Sequence, residues 1–250
     1  MTELSERQLA IQRRESEILG AARDVLLERG YFGLTMKRVA DAGACPKGTV
    51  YQWFGSKEDL LVALALRSLE KRVAMMERGA NYPGLSRERV LALGEAVSLF
   101  TRLYPDDSRI LYTAMGPVRE KATPKRLLKL TDMEQCALGI LRGILEDAVA
   151  EGNLVCENGT VLREMAFGIW ALVDGSITLI TNNSPRAALG IQNPFTNMFH
   201  VFNTLADAYR WRPLFREYDW EETLAAVRRN VFPEEAQAVY GEENWYGDRL

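Results

Sequence analysis

Apolar side chains recur every three or four residues along most of this 250-residue chain, and that spacing predicts a succession of amphipathic helices. Ile18, Leu19, Ala22, Val25 and Leu26 form the first stripe, on a helix that starts near Ser5 and ends at Gly30, where glycine enters the left-handed region cheaply. Tyr31, Phe32 and Leu34 give an apolar connector, and Thr35 is suited to cap a second helix carrying Val39 and Ala40. Gly43 to Pro46 interrupts the pattern before Val50, Tyr51 and Phe54 resume it, and Gly55 stops it again. Ser56, followed by Glu58 and Asp59, is a start signal, because the helix dipole favours acids in a first turn. The helix it opens carries Leu60, Leu61, Leu64, Val73 and Met76 as far as Gly79.

Beyond the turn at Asn81-Tyr82-Pro83-Gly84, the same spacing predicts helices over Arg87 to Tyr104, Pro124 to Gly152, Thr160 to Ile180, Phe195 to Tyr209 and Trp220 to Asn230. A short helix from Ser108 to Met115 is bounded by Pro105 and by Gly116-Pro117. The helix from Thr160 is apolar on most sides, the pattern of a central or interface helix. Asn182 to Pro194 reads as a loop, and Tyr240, Trp245 and Tyr246 lie in an acidic tail. No strand-like alternation, repeat or run of eighteen apolar residues occurs, so the expectation is an all-α protein without a membrane span.

Composition adds bounds. An apolar fraction of 47% and a charged fraction of 26% are ordinary for a soluble globular protein. The first residues, MTELSERQLAIQRRESE, carry charges where a signal peptide needs an apolar stretch, so a cytoplasmic location is expected. Cys45, Cys136 and Cys156 are odd in number and lack C-x-x-C spacing, which indicates neither a disulfide framework nor a metal site. Net charge is -3, but its distribution matters more than its sum. Between Thr35 and Lys57 the cations Lys37, Arg38, Lys47 and Lys57 face Asp41 alone, whereas acids dominate beyond Tyr218. A basic head on an acidic body is compatible with DNA binding by the head.

Two short helices around a tight turn, over Thr35 to Lys57, form the layout of a helix-turn-helix, whose second helix enters the DNA major groove. From Ile18 to Leu61 the chain resembles the DNA-binding head of the TetR family of bacterial transcriptional regulators. The resemblance rests on Ile18-Leu19, Ala21-Ala22, Gly30-Tyr31, Thr35, Val39-Ala40, Gly48-Thr49-Val50-Tyr51, Phe54 and Ser56-Lys57-Glu58-Asp59-Leu60 in order at family spacing. It implies a three-helix head over 1–58, with 1–12 disordered or an extension of the first helix. A helical ligand-binding and dimerisation domain over 59–232 and a tail over 233–250 would follow.

The same resemblance implies that Thr35, Lys47, Thr49, Tyr51 and Lys57 touch the DNA backbone, with Lys47, Gln52 and Trp53 nearest base edges. Hydroxyls and lysines hold phosphates, and Lys and Gln pair with guanine and adenine. Lys37 joins this set or belongs to a solvated face, and Gly48 would let the helix start approach the backbone closely. Tyr51 and Trp53 also have a packing reading. Where the family has glycine in the turn this chain has Ala44 after Gly43, and where it has serine it has Pro46. The expectation is that the turn shifts by one residue, sparing alanine a positive φ, and that Pro46 lies in the first helical turn. Cys45 reads as a small apolar residue, with Lys47 the one hint of an activated thiol.

For the body, the resemblance implies a homodimer that leaves a palindromic double-stranded operator when a small-molecule effector enters a pocket. Candidate pocket residues are Phe100, Tyr104, Tyr112, Met115, Trp170 and Asp174, each with a plain core reading beside it. The helices around Phe167 to Leu179 and Phe195 to Tyr209 are the expected dimer surface. The alternative is a body that answers to a protein partner instead. Neither cofactor nor metal is expected, and an enzyme is not supported. The sole histidine, His200, sits in an apolar stripe and reads as a core or interface residue.

Overall fold

The computed structural model describes residues 6–156, 158–181, 190–242 and 244–247. Among them are eleven α-helices and no strand: α1 (Glu6–Gly33), α2 (Met36–Ala42), α3 (Lys47–Trp53), α4 (Lys57–Ala80), α5 (Ser86–Leu103), α6 (Pro105–Thr113), α7 (Pro124–Ala150), α8 (Gly159–Thr181), α9 (Pro194–Ala208), α10 (Trp220–Asn230) and α11 (Pro233–Tyr240). The all-α expectation therefore holds. Most of the loop expected at Asn182 to Pro194 lies outside the described residues.

Two compact units divide the chain, residues 1–69 with Arg109–Met133 in one and Glu70–Ser108 with Glu134–Leu250 in the other. Helices α4, α6 and α7 each supply residues to both.

In the first unit the stripe on α1 is the core. Ile18, Leu19, Ala22, Val25 and Leu26 are buried together with Leu34, Val39, Ala40, Val50, Phe54, Leu60 and Leu61. Gly30 breaks α1 with φ 67° and ψ 178°, and the Leu34 amide donates back to the Gly30 carbonyl at 3.1 Å. That glycine lets the chain turn so that Leu34 enters the core. Phe32, expected in an apolar connector, points the other way and is 91% exposed. Residues 31–33 are short and curled, so neighbours in sequence cannot all face one side.

In the second unit α5 is enclosed on nearly every face, with α10 and α11 packed along it and α9 joined to both α8 and α5. Arg87, fully buried, donates to the Asn203 carbonyl at 2.7 Å, to Asp207 at 2.7 Å and to the carbonyls of Trp211 and Pro213 at 2.7 and 2.6 Å. Five donors in a planar fork suit this task, which ties α5 to α9 and to the turn after it. Further along α5, Arg228 of α10 pairs with Glu95 at 2.7 Å, both side chains almost wholly buried. Tyr240 donates to the same Glu95 oxygen at 3.2 Å, and Arg228 donates to the Trp245 carbonyl at 3.0 Å. The stretch read as a tail from 233 thus carries α11, whose Ala236 is buried beside Phe232. Its acids, with Tyr240, Trp245 and Tyr246, produced the reading as an acidic aromatic tail.

One further expectation is corrected and another is narrowed. Pro105 opens α6 instead of bounding it from outside, since a fixed φ and a missing amide suit a first helical turn. Helix α8, read as central or interface, buries Met165, Ile169 and Ile177 but exposes Phe167 (65%), Leu179 (58%) and Trp170 (40%), which removes the central alternative and leaves the interface one. By length and composition α8 could cross a membrane, but Asp174 lies in its middle, where an ionised group is costly in hydrocarbon.

Removing one partner of a buried ion pair leaves the other charged and unpaired, at about 3–5 kcal/mol. Arg228→Ala should destabilise by that amount in chemical denaturation. Arg228→Met with Glu95→Leu should recover most of the loss, giving strongly non-additive changes.

Candidate nucleic-acid interface

Helix α2 begins as its sequence predicts, with the Thr35 hydroxyl oxygen accepting from the Arg38 amide at 3.3 Å. It ends in a paired closure: the Cys45 amide donates to the Ala40 carbonyl at 3.0 Å and the Ala44 amide to the Asp41 carbonyl at 3.3 Å. That is the Schellman arrangement, which places one residue in the left-handed region. The residue is Ala44, at φ 45°, while Gly43 has an ordinary φ of -83°. The expected one-residue shift does not occur. A β-carbon on Gly43 would stand 3.2 Å from the Val39 carbonyl oxygen and 3.4 Å from the Ala21 methyl group of α1. Glycine is used there for close packing on α1, and the alanine accepts the strained position.

Pro46 is also placed differently. It precedes the helix as its N-cap, with φ -59° and ψ 140°, and provides no side-chain cap. Its carbonyl accepts from the Thr49 amide at 2.9 Å. Helix α3 therefore starts at Lys47.

The seven residues of α3 divide by face. Val50 is fully buried, as is Phe54 just beyond the helix. Lys47, Gly48, Tyr51 and Gln52 are exposed, and Thr49 and Trp53 are half-buried. Lys47 and Tyr51 are one turn apart, with the ammonium 5.4 Å from the ring centre. A β-carbon added to Gly48 would meet nothing within 4 Å, so packing inside the chain does not require glycine at this position. Lys37 is exposed on α2.

Lys57, another expected DNA contact, is half-buried. Its ammonium lies 4.0 Å from the centre of the Tyr31 ring and donates to the Tyr31 carbonyl at 3.5 Å. The Tyr31 hydroxyl donates to Glu58 at 2.8 Å, and burial, followed by the adjacent Glu58 carboxylate, pushes its pKa up to about 12. Glu58 thus does more than complement the helix dipole.

Asp59 has a larger role that sequence reading missed. It is 2% exposed and accepts from the amides of Gly55 at 2.9 Å and Thr123 at 2.6 Å. Arg126, near the start of α7, stands over the Phe54 ring at 4.7 Å, donates to the Trp53 carbonyl at 3.4 Å and pairs with Glu15 of α1 at 2.9 Å. A cation at a helix C-terminus complements its partial negative charge. No local pattern marks Thr123 or Arg126, which lie more than sixty residues beyond the turn.

Residues 18–64 match the family model described as bacterial regulatory proteins, tetR family. That stretch is a tetR-type head, and the chain is a DNA-binding transcriptional regulator with a helix-turn-helix head and a helical C-terminal region. The chain is 25% identical over 170 residues to the fatty acid metabolism regulator protein of Bacillus subtilis (strain 168), covering 68% of this chain and 84% of that protein. It is 31% identical over 83 residues to the transcriptional activator FasR of Mycolicibacterium smegmatis, covering 33% and 38% of the two chains. Its fold is similar to that of FadR from Bacillus subtilis, solved in complex with stearoyl-CoA. That TM-score is 0.60 at 18% identity, over 76% of this chain and 97% of that one.

The six pocket candidates divide between the two units. Tyr112 and Met115 belong to the first unit and Phe100, Tyr104, Trp170 and Asp174 to the second. Phe100 is fully buried and lies 5.5 Å from Tyr104, ring to ring. Trp170 instead meets Phe167 edge-on at 6.2 Å on the exposed face of α8. Of the core and interface readings of His200, exposure on α9 removes the first and leaves the second, and its ring lies 5.0 Å from Phe215.

An alanine at positive φ is strained relative to glycine by about 1 kcal/mol. Ala44→Gly should raise the stability of the head by about that amount in denaturant titration. Gly43→Ala, which crowds α1, should lower it.

Proposed function

We propose that this protein is a homodimeric repressor that holds a palindromic operator through paired α3 helices and is released by a small-molecule effector, with fatty acyl-CoA thioesters as the effector class. The observation that carries the DNA reading is the outward face of α3. There Lys47, Gly48, Tyr51 and Gln52 share a surface from which Val50 and Phe54 are withdrawn. Gly48 has room for a side chain and lacks one, as expected where a backbone from outside must approach closely. In this reading Thr35, Lys37, Lys47, Thr49, Tyr51 and Lys57 hold phosphates, while Lys47, Gln52 and Trp53 lie nearest base edges. Two such helices across a two-fold axis would meet half-sites about 34–36 Å apart.

Dimerisation is supported by the apolar surface of α8 and α9. Phe167, Trp170, Leu179 and Val201 are exposed there, and Gly175 permits close approach. A two-fold contact buries the same patch of both copies. The effector class is supported by the relative named for fatty acid metabolism and by the fold neighbour that holds stearoyl-CoA. Of the candidates, Phe100, Tyr104 and Asp174, all in the second unit, are the proposed pocket residues, whereas the exposure of Trp170 suits the dimer face better. No catalysis belongs to this reading, and the protein would act in the cytoplasm, where its operator is.

Footprinting on the DNA upstream of its own gene should show a protected palindrome, and no protection at moderate salt would sink the proposal. Lys47→Ala and Tyr51→Ala should each lower operator affinity at least about tenfold while sedimentation still shows a dimer.

Acyl-CoA should release that operator in a gel shift and raise the melting temperature of the free protein. Release by unrelated metabolites but not by acyl-CoA would exclude the effector class and leave the DNA reading intact.

A further inference from the structure

Phe32 is the most exposed large apolar side chain among the described residues, at 91%, and nothing in the head's packing uses it. Its position is nonetheless well fixed. Gly30 breaks α1 on one side of it, and fully buried Leu34 anchors the chain on the other. Two cations hold the backbone between them. The Arg38 guanidinium donates to the Gly33 carbonyl at 2.8 Å, and the Lys57 ammonium reaches the Tyr31 carbonyl at 3.5 Å. The Phe32 ring meets Tyr31 edge-on at 5.6 Å, and Lys57 covers the same Tyr31 ring at 4.0 Å. An apolar ring therefore projects from a braced turn between two positive charges, three residues before the Thr35 cap.

That arrangement matches one kind of surface. A DNA backbone alternates anionic phosphates with deoxyribose rings whose carbon faces are apolar, so a phenyl ring flanked by cations can pack on a sugar while the cations face adjacent phosphates. We propose that Phe32 is a DNA-contacting residue whose ring packs on a deoxyribose of the operator backbone, beside the phosphates that Thr35 and Lys57 approach. The inference rests on the operator-binding reading above and extends the interface beyond the helix-turn-helix to the bend at the end of α1. A sugar contact carries no sequence information, so Phe32 would contribute affinity and register rather than base choice. It would also be insensitive to salt, because no counterion is released when an uncharged ring is buried.

The test uses full-length protein and the footprinted operator, with affinity read by fluorescence anisotropy at several salt concentrations. Partial burial of a phenyl group corresponds to a loss of about 5- to 10-fold in affinity for Phe32→Ala. The slope of log affinity against log salt should be unchanged. Lys47→Ala, the comparison, should reduce that slope by about 0.9. Phe32→Leu, which keeps an apolar side chain, should recover part of the loss, and a scrambled fragment of equal length should show the same fold-change. Exposure of the ring means that Phe32→Ala should melt like the unaltered protein, which circular dichroism checks. Unchanged operator affinity in Phe32→Ala, with Tyr51→Ala impaired, would overturn the proposal and leave the operator reading standing. A loss accompanied by a shallower salt slope would also overturn it, by showing that the ring only positions the cations. Failure of the unaltered protein to bind any palindrome would remove both readings together.

Discussion

The head depends on one buried carboxylate. Burying the polar side chain of Asp59 is costly unless hydrogen bonds replace the water it loses, and the amides of Gly55 and Thr123 provide them. Because each donor comes from a different stretch of chain, satisfying this single charge fixes the corner after α3, the first turn of α4 and the segment before α7 as one piece. Gly55 is part of the requirement, since a β-carbon there would stand 3.2 Å from an Asp59 oxygen. Arg126 completes the corner from the opposite sign, holding the Trp53 carbonyl and the face of Phe54. The recognition helix is only seven residues long, too short to be stable alone, so its orientation comes from these contacts and from the burial of Val50 and Phe54.

This arrangement also explains how a chain of net charge -3 can present a DNA surface. Its cations divide by task. Arg126 holds a carbonyl and a ring within the head, exposed Arg38 and half-buried Lys57 brace carbonyls from its surface, and Lys37 and Lys47 are exposed. In the second unit Arg87 and Arg228 are buried and neutralised by their partners. Counting charges would misjudge the interface, because a cation that organises a backbone and one that waits for a phosphate contribute equally to the sum.

The sequence carried the helices of the head almost to the residue, because their stripes, caps and glycine stops are local signals. The Thr35 cap and the Gly30 break follow from residue chemistry alone. The turn between α2 and α3 did not follow. Choosing between Gly43 and Ala44 for the left-handed position depends on the distance from Gly43 to the methyl group of Ala21, a tertiary fact. Asp59 was legible as a first-turn acid but not as the acceptor of an amide sixty-four residues away. For α8, periodicity showed an apolar surface on most sides without saying whether the chain's own core or something else covers it. For His200 the same ambiguity left core and interface both open, and only its exposed position on α9 decides against the core.

Length sets the last constraint. FadR from Bacillus subtilis is matched over 97% of its chain while only 76% of this one is used, so this protein carries structure beyond the shared fold. In its second unit, α10 and α11 lie along α5, fastened by Arg228, Glu95 and Tyr240. Phe100 and Tyr104 belong to that same stretch of α5 and its end. An effector that reaches them cannot enter across the side that α10 and α11 cover unless the buried ion pair opens first, and opening it exposes two charges that hold each other at 2.7 Å. On the proposed effector reading, entry would therefore come from another face of α5, with α10 and α11 as one wall of a pocket built there.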